Sequence, residues 1–268
     1  MKIFISRDFL AAPEGRGRSR HKTAGIALEL SSMKRIFRWT LSVLLVAIAG
    51  LGMFVAWLSG TAVSAEELPP LKTGDIVFQE SGGGQRLAIM LASHSLYTHT
   101  GLIELAADGT PLVVEAAGPV RTVPLKYWIN NGTANRITIK RIKGLSESDA
   151  RAAVARAHTY DGVPYDIFFL NTRDAIYCSE LIYAAFKEGP KIAVGREEKV
   201  RDLHFDNAAV RHLIEARWQK HPLCQSKDIA TFEACYQVIL DQTLVTPASV
   251  ARDPKLELVY SNFGIAGD

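Results

Sequence analysis

Cysteine is scarce in this sequence, with three residues among 268. Two of them, Cys224 and Cys235, lie close together, while Cys178 stands apart. A zinc site built from His221 and these two cysteines lacks a fourth ligand at a suitable spacing, so we expect no metal. In an exported protein the pair predicts a disulfide between Cys224 and Cys235, which leaves Cys178 as the free thiol.

A basic stripe interleaved with aromatic residues is also missing. The first 65 residues contain 9 of the 31 Lys and Arg but only 3 of the 28 Asp and Glu, so the remaining 203 residues carry a net charge of about −3. The excess of positive charge in the whole chain therefore comes from the N-terminal segment. This distribution argues against nucleic acid as a partner.

The glycine run Ser81–Gly84 lacks the Lys-Ser/Thr of a phosphate-binding P-loop and the spacing of a dinucleotide fingerprint. We interpret it as a mobile loop, and no cofactor is implied. No internal repeat or low-complexity linker divides the last 200 residues, which suit one domain.

Charge is nearly absent from Trp39 to Ala65, directly after the basic run Lys34–Arg38. If Val63–Ala65 is a cleavage site, this is a secretory signal peptide; if it is not cleaved, the segment is a single membrane anchor. Either alternative predicts export, to the periplasm or to the outward face of the inner membrane. We expect 1–32 to be a non-native or disordered extension, with translation starting at Met33, or a disordered cytoplasmic tail. We expect 33–65 to be the leader and 66–268 the folded domain.

Hydrophobic periodicity predicts an α+β fold. Strands are expected at 74–79, 99–105, 112–116, 135–142 and 256–260, and helices through 87–91, 147–160, 177–189, 205–219 and 228–242. Asp108-Gly109 is a hairpin turn signal between the second and third strands. This hairpin would bring His99 and Glu115 onto neighbouring strands, roughly opposite each other.

Cys178 begins the apolar-periodic stretch of the third expected helix, where the positive end of the helix favours a thiolate. His99 supplies a base, with His94 as the main rival, and Glu115 supplies an acceptor that orients the imidazole. The backbone N–H of Cys178 is placed to donate to an oxyanion. These groups suit acyl transfer, and the other interpretation is a binding module in which Cys178 is structural.

Five short motifs occur in an order that resembles the YiiX/YaeF-type permuted papain-fold hydrolases of the NlpC superfamily. They are Leu71–Phe78, Thr98–Leu102, Val114–Ala116, Gly162–Asp166 and Tyr177–Leu181. The resemblance implies a circularly permuted papain-like fold, an antiparallel sheet with the nucleophile helix packed against it. It implies Cys178 as nucleophile, His99 as base and Glu115 as the third, orienting residue.

Together with the leader, the resemblance predicts a cell-envelope cysteine peptidase or amidase. Its substrate would be an amide of a peptidoglycan-type peptide, cleaved through a thioacyl intermediate. The alternative is acyl transfer or deacylation on a lipid at the same site. Three tyrosines are expected to line the substrate cleft, namely Tyr97, Tyr165 and Tyr177. The stretch 191–242 does not align with the family pattern.

Overall fold

The computed structural model describes residues 19–60, 62–203 and 207–263. The chain divides into two units, 1–57 and 58–268, which are treated separately. The first contains most of helix α1 (Ser19–Gly60), and its stretch Lys34–Phe54 is long and apolar enough to cross a membrane, with a mean hydropathy of 1.8 over an 18-residue window and no burial.

The helix begins well before Met33, so residues 19–32 differ from the expected disorder. The helix-forming run 27–30, Ala-Leu-Glu-Leu, explains the continuation. Residues 1–18 lie outside the described part of the chain.

The second unit is built on a six-stranded antiparallel sheet and a two-stranded one. Its strands are β1 (Ile76–Gln79), β2 (His99–Leu105), β3 (Pro111–Ala116), β4 (Val120–Pro124), β5 (Thr138–Ile142), β6 (Glu198–Lys199), β7 (Thr243–Leu244) and β8 (Leu256–Ser261). The large sheet has the order β4-β3-β2-β1-β5-β8, and β6 pairs with β7. Its helices are α2 (Arg86–Ser93), α3 (Leu125–Asn130), α4 (Glu147–His158), α5 (Cys178–Glu188), α6 (Ala208–Glu215), α7 (Pro222–Gln225), α8 (Phe232–Leu240) and α9 (Pro247–Ala251).

A hydrophobic core packs against each face of the large sheet, and successive side chains of a strand contribute to opposite cores. On one face Phe78 and Leu102 pack in a core with Phe186 of α5. On the other, Val77 packs in a core with Trp128 of α3. The α+β prediction is confirmed, with the nucleophile helix against the sheet.

The β2–β3 hairpin forms around the predicted turn, where Gly109 has φ +84° and the Asp108 carboxylate accepts from the N–H of Thr110 at 2.9 Å. Leu102 lies opposite Val114. If this register continues by one residue, Glu115 lies opposite residue 101. His99 is then the diagonal neighbour of Glu115 on β2 and not the residue directly opposite.

The stretch 191–242 forms a layer of its own beside the start of α5. Cys224 and Cys235 are joined by a disulfide, and their cluster includes Tyr177 and Ile239. Cysteines joined in this way cannot serve as zinc thiolates. The helices expected at 205–219 and 228–242 are shorter, as α6 and α8, and residues 204–206 lie outside the described residues.

Candidate active site

Cys178 is the first residue of α5, and only 3% of its surface is exposed. The helix begins after Tyr177, which has an extended backbone, and the Glu180 carboxylate accepts from the Tyr177 N–H at 3.4 Å. The backbone N–H groups of Thr100 and Ser179 donate to the sulfur. The thiol therefore sits at a helix N-terminus and against the start of β2, surrounded by donors.

His99, the first residue of β2, is in hydrogen-bond contact with Cys178. Its Nε2 bonds Glu115 Oε2 at 2.6 Å, so Nδ1 is the ring nitrogen left for the thiol. The ring stacks on Trp128, with centroids 5.9 Å apart and planes at 26°. Packing on one side and the carboxylate at the far nitrogen fix the orientation of the imidazole.

Glu115 on β3 holds the imidazole while being held itself. Arg121 lies directly opposite it on β4 and donates to Glu115 Oε1 from Nε at 3.0 Å and from a terminal nitrogen at 2.8 Å. Each carboxylate oxygen thus has its own partner, and both guanidinium donors converge on Oε1 in charge-assisted hydrogen bonds. The structure therefore brings together the three residues predicted from the sequence, Cys178, His99 and Glu115. Arg121 joins them as a fourth.

These contacts shift each of the three pKa values so that the charged form of the group is favoured. Burial alone would raise the pKa of the Cys178 thiol, but the hydrogen bond and charge of His99 and the two backbone donors lower it. Burial would lower the pKa of His99, yet the bonds to Cys178 and Glu115 raise it to about 9. The pKa of Glu115, which burial would raise, is lowered by His99 and Arg121. These shifts favour a thiolate beside an imidazolium, with a carboxylate at the far ring nitrogen.

The three tyrosines have different surroundings. Tyr165 lines a cleft beside Cys178 and its hydroxyl is in hydrogen-bond contact with the thiol, while burial and that contact raise its own pKa. Tyr177 is buried against Phe169 and lines a pocket at Cys178. Tyr97 lies instead in the hydrophobic core, 1% exposed, with its hydroxyl donating to Thr138 at 2.9 Å. The prediction that Tyr97 lines the cleft is wrong, because it packs beneath the sheet.

The rival base, His94, is exposed at the C-terminal end of α2, where its carbonyl accepts from Arg252 at 3.0 Å. It lines neither of the cavities that meet the site. The contacts therefore favour His99.

Two cavities reach the catalytic groups. The first, here called the apolar pocket, encloses about 870 Å³ of empty space, part of it open to solvent, and touches Cys178 itself. Its walls come largely from the 191–242 layer and α2, and include Ala88, Ala92, Phe169, Val210, Leu213, Ile239 and Leu244.

The second cavity, here called the polar cleft, has about 1180 Å³ of empty space, also partly open, and lies on the His99 side. Its lining includes Gln79, the glycine run, Glu115, Arg121, Asn131 and Tyr165. Thr98, Ile167 and Arg217 line both cavities, so the two adjoin at the site.

Arg121 was missed by the sequence analysis although a signal exists. Gly118-Pro119 is a turn dipeptide, and pairing about position 118 sets 121 opposite 115. Arg217 has no such signal, because it comes from the 191–242 layer and reaches the site only through packing.

Comparison with known proteins identifies the family of the chain. Residues 70–260 match the family model described as permuted papain-like amidase enzyme, YaeF/YiiX, C92 family. The chain belongs to this family of amidases. It is 32% identical over 189 residues to the uncharacterized protein YiiX of Escherichia coli strain K12, across 70% of this chain and 85% of the relative.

A solved structure resembles the same region. The crystal structure of the metalloprotein yiiX from Escherichia coli O157:H7 aligns with a TM-score of 0.63 and 31% identity, over 72% of this chain and 98% of that chain. Within the described residues of this chain, no group of three or more His, Cys, Asp or Glu side chains is placed to hold a metal ion. The permuted papain-like fold and the cysteine amidase class are confirmed.

Proposed function

We propose that this chain hydrolyses an amide through a thioacyl intermediate on Cys178. The observation that carries the proposal is the continuous chain of contacts from Cys178 through His99 to Glu115 and Arg121. The thiolate attacks the carbonyl carbon, and the N–H of Cys178, which has no acceptor among the described residues, is free to donate to the oxyanion.

The imidazolium of His99 then gives its proton to the amine nitrogen as the C–N bond breaks, which leaves a thioester on Cys178. Neutral His99 next takes a proton from water, and the hydroxide adds to the thioester carbonyl. Collapse releases the acid and restores the thiolate beside an imidazolium. Glu115 keeps the ring oriented in both halves of the reaction.

The apolar pocket supports a hydrocarbon acyl group as the acid half of this amide. It adjoins the sulfur that would carry the acyl group, and its lining is almost wholly apolar. The polar cleft on the other side suits a polar amine half. This favours the lipid-acyl alternative over the cell-wall peptide for the acyl side.

The peptidoglycan-type peptide remains the second candidate, supported by the polar cleft and by the N-terminal segment. Lys34–Phe54 has the length and hydropathy of a signal or an anchor. With it we propose export to the cell envelope, with 33–65 as the leader, 66–268 as the hydrolase domain and 1–32 as an extension outside both. Both candidate substrates, the lipid acyl amide and the peptidoglycan-type peptide, would be accessible in the cell envelope.

Amides of one amine with acyl chains from acetyl to dodecanoyl test the acyl side, with muropeptides assayed in parallel. Each buried methylene contributes about 0.8 kcal/mol, so kcat/KM should rise roughly fourfold per methylene until the pocket is filled. Leu213→Trp, which narrows the pocket, should abolish the gain for long chains alone; Leu87→Trp on the exposed face of α2 is the control. Cleavage of muropeptides with no effect of chain length would overturn the acyl assignment.

A further inference from the structure

Arg217 follows α6 and lines both the apolar pocket and the polar cleft, where they adjoin at the catalytic groups. One terminal nitrogen donates to the Ile167 carbonyl at 3.2 Å. With its side-chain oxygen turned toward the guanidinium, the amide of Gln85 accepts from both terminal nitrogens, at 3.3 Å for one of them. Both partners are neutral.

Each of the other two arginines of the cleft is paired with a carboxylate. Arg86 bonds Glu80 at 2.6 Å, and Arg121 is taken up by Glu115. Among the described residues, no carboxylate pairs with Arg217, and its half-burial lowers its pKa. A guanidinium that is partly withdrawn from water without a counter-charge costs stability, so a purely structural role explains it poorly.

We infer that Arg217 binds an acidic group, a carboxylate or a phosphate, that the substrate carries next to the scissile amide. The inference rests on the proposed function and narrows its substrate class to N-acylated amino acids or N-acylated amino phosphates. The hydrocarbon chain occupies the apolar pocket, and the anion of the amine half meets Arg217 at the mouth of the polar cleft. A planar fork of N–H donors matches either anion in a bidentate manner.

Binding is measured first, on the full-length chain carrying Cys178→Ala, so that no turnover intervenes. Calorimetry compares N-decanoylglycine, its neutral analogue N-decanoylglycinamide, and N-decanoyl aminomethylphosphonate. We expect the two anions to bind roughly 10- to 100-fold more tightly than the amide, and Arg217→Gln to remove that difference, as expected for a lost charge-assisted bond. The ratio of the dissociation constants of the two anions distinguishes recognition of a carboxylate from recognition of a phosphate.

Lys220→Gln is the matched control, because Lys220 is exposed three residues along and has no side-chain partner among the described residues. It removes one positive charge and should leave the preference unchanged. Equal binding of anion and amide, binding of neither, or an equal loss in Lys220→Gln would overturn the inference.

Turnover by the chain with Cys178 intact separates this inference from the proposed function. If charged and neutral N-decanoyl compounds are cleaved equally, and Arg217→Gln changes neither, Arg217 is not a binding residue although the amidase activity stands. If none is cleaved but binding still discriminates through Arg217, the proposed hydrolysis fails and the anion site stands.

Discussion

Replacing Glu115 by glutamine tests how the site holds its imidazole. The carboxylate accepts from His99 on one oxygen at 2.6 Å and from the Arg121 fork on the other, and it is 3% exposed. Glutamine has nearly the same shape but only one oxygen and no charge. Its NH₂ group must therefore face a donor, either on His99 or on Arg121.

The cost follows from these contacts. A hydrogen bond to a charged group contributes about 1.5–3 kcal/mol, which corresponds to a roughly 10- to 150-fold loss of kcat/KM if the bond to His99 is lost. The rise of the His99 pKa from 6.5 to about 9 corresponds to about 3 kcal/mol in favour of imidazolium. Glu115 supplies part of that preference, so Glu115→Gln should lower the His99 pKa.

The assay is kcat/KM for a long-chain N-acyl amide between pH 5 and 10. In the unsubstituted protein the basic limb should lie near pH 9, because activity needs imidazolium and His99 loses its proton there. In Glu115→Gln the basic limb should move toward neutral pH and the plateau should fall. Glu104→Gln is a matched control, since Glu104 lies on β2 and also bonds a histidine. Its partner is His158, at 2.9 Å, and this pair lies outside the active site. An unchanged plateau and basic limb in Glu115→Gln would refute the reasoning.

Three further outcomes are expected. His99→Ala should reduce turnover far more than His94→Ala, measured as kcat, and the reverse would reassign the base. Tyr165→Phe removes a hydroxyl that stabilises the thiolate, so the pH at which Cys178 becomes reactive toward iodoacetamide should rise; no change would mean that the hydroxyl does not serve the thiolate. Replacing both Cys224 and Cys235 by alanine should cost roughly 3 kcal/mol of unfolding free energy in denaturant titrations, and an unchanged midpoint would show that the bridge adds nothing.

Local signals in the sequence were enough to predict most strands of the large sheet and the three candidate catalytic residues. The alternating strands and the Asp108-Gly109 turn set the hairpin that carries His99 and Glu115, and the periodicity of the Cys178 segment placed α5 correctly. These features depend on neighbours within a few residues or on strand register. They are therefore readable without a tertiary structure.

What could not be predicted depends on packing between distant segments. Val120–Pro124 and Leu125–Asn130, as β4 and α3, were not recognised, since both are short and lack clear periodicity. Tyr97 carries the same local signal as a cleft tyrosine, and its packing against Phe78 and Phe263 shows that it belongs to the core. The apolar pocket has no sequence signature, because its wall joins the 191–242 layer to α2.

Trapping the acyl-enzyme is the most direct test of the central claim that Cys178 is the nucleophile. The full-length chain is mixed with a long-chain N-acyl amide, quenched in acid within milliseconds to seconds, and analysed by mass spectrometry of the intact protein and its peptides. We predict a mass increase equal to the acyl group minus the hydrogen that it replaces, confined to the peptide containing Cys178 and absent in Cys178→Ala, which should also be inactive. Turnover by Cys178→Ala, or an acyl adduct on another residue, would contradict the account.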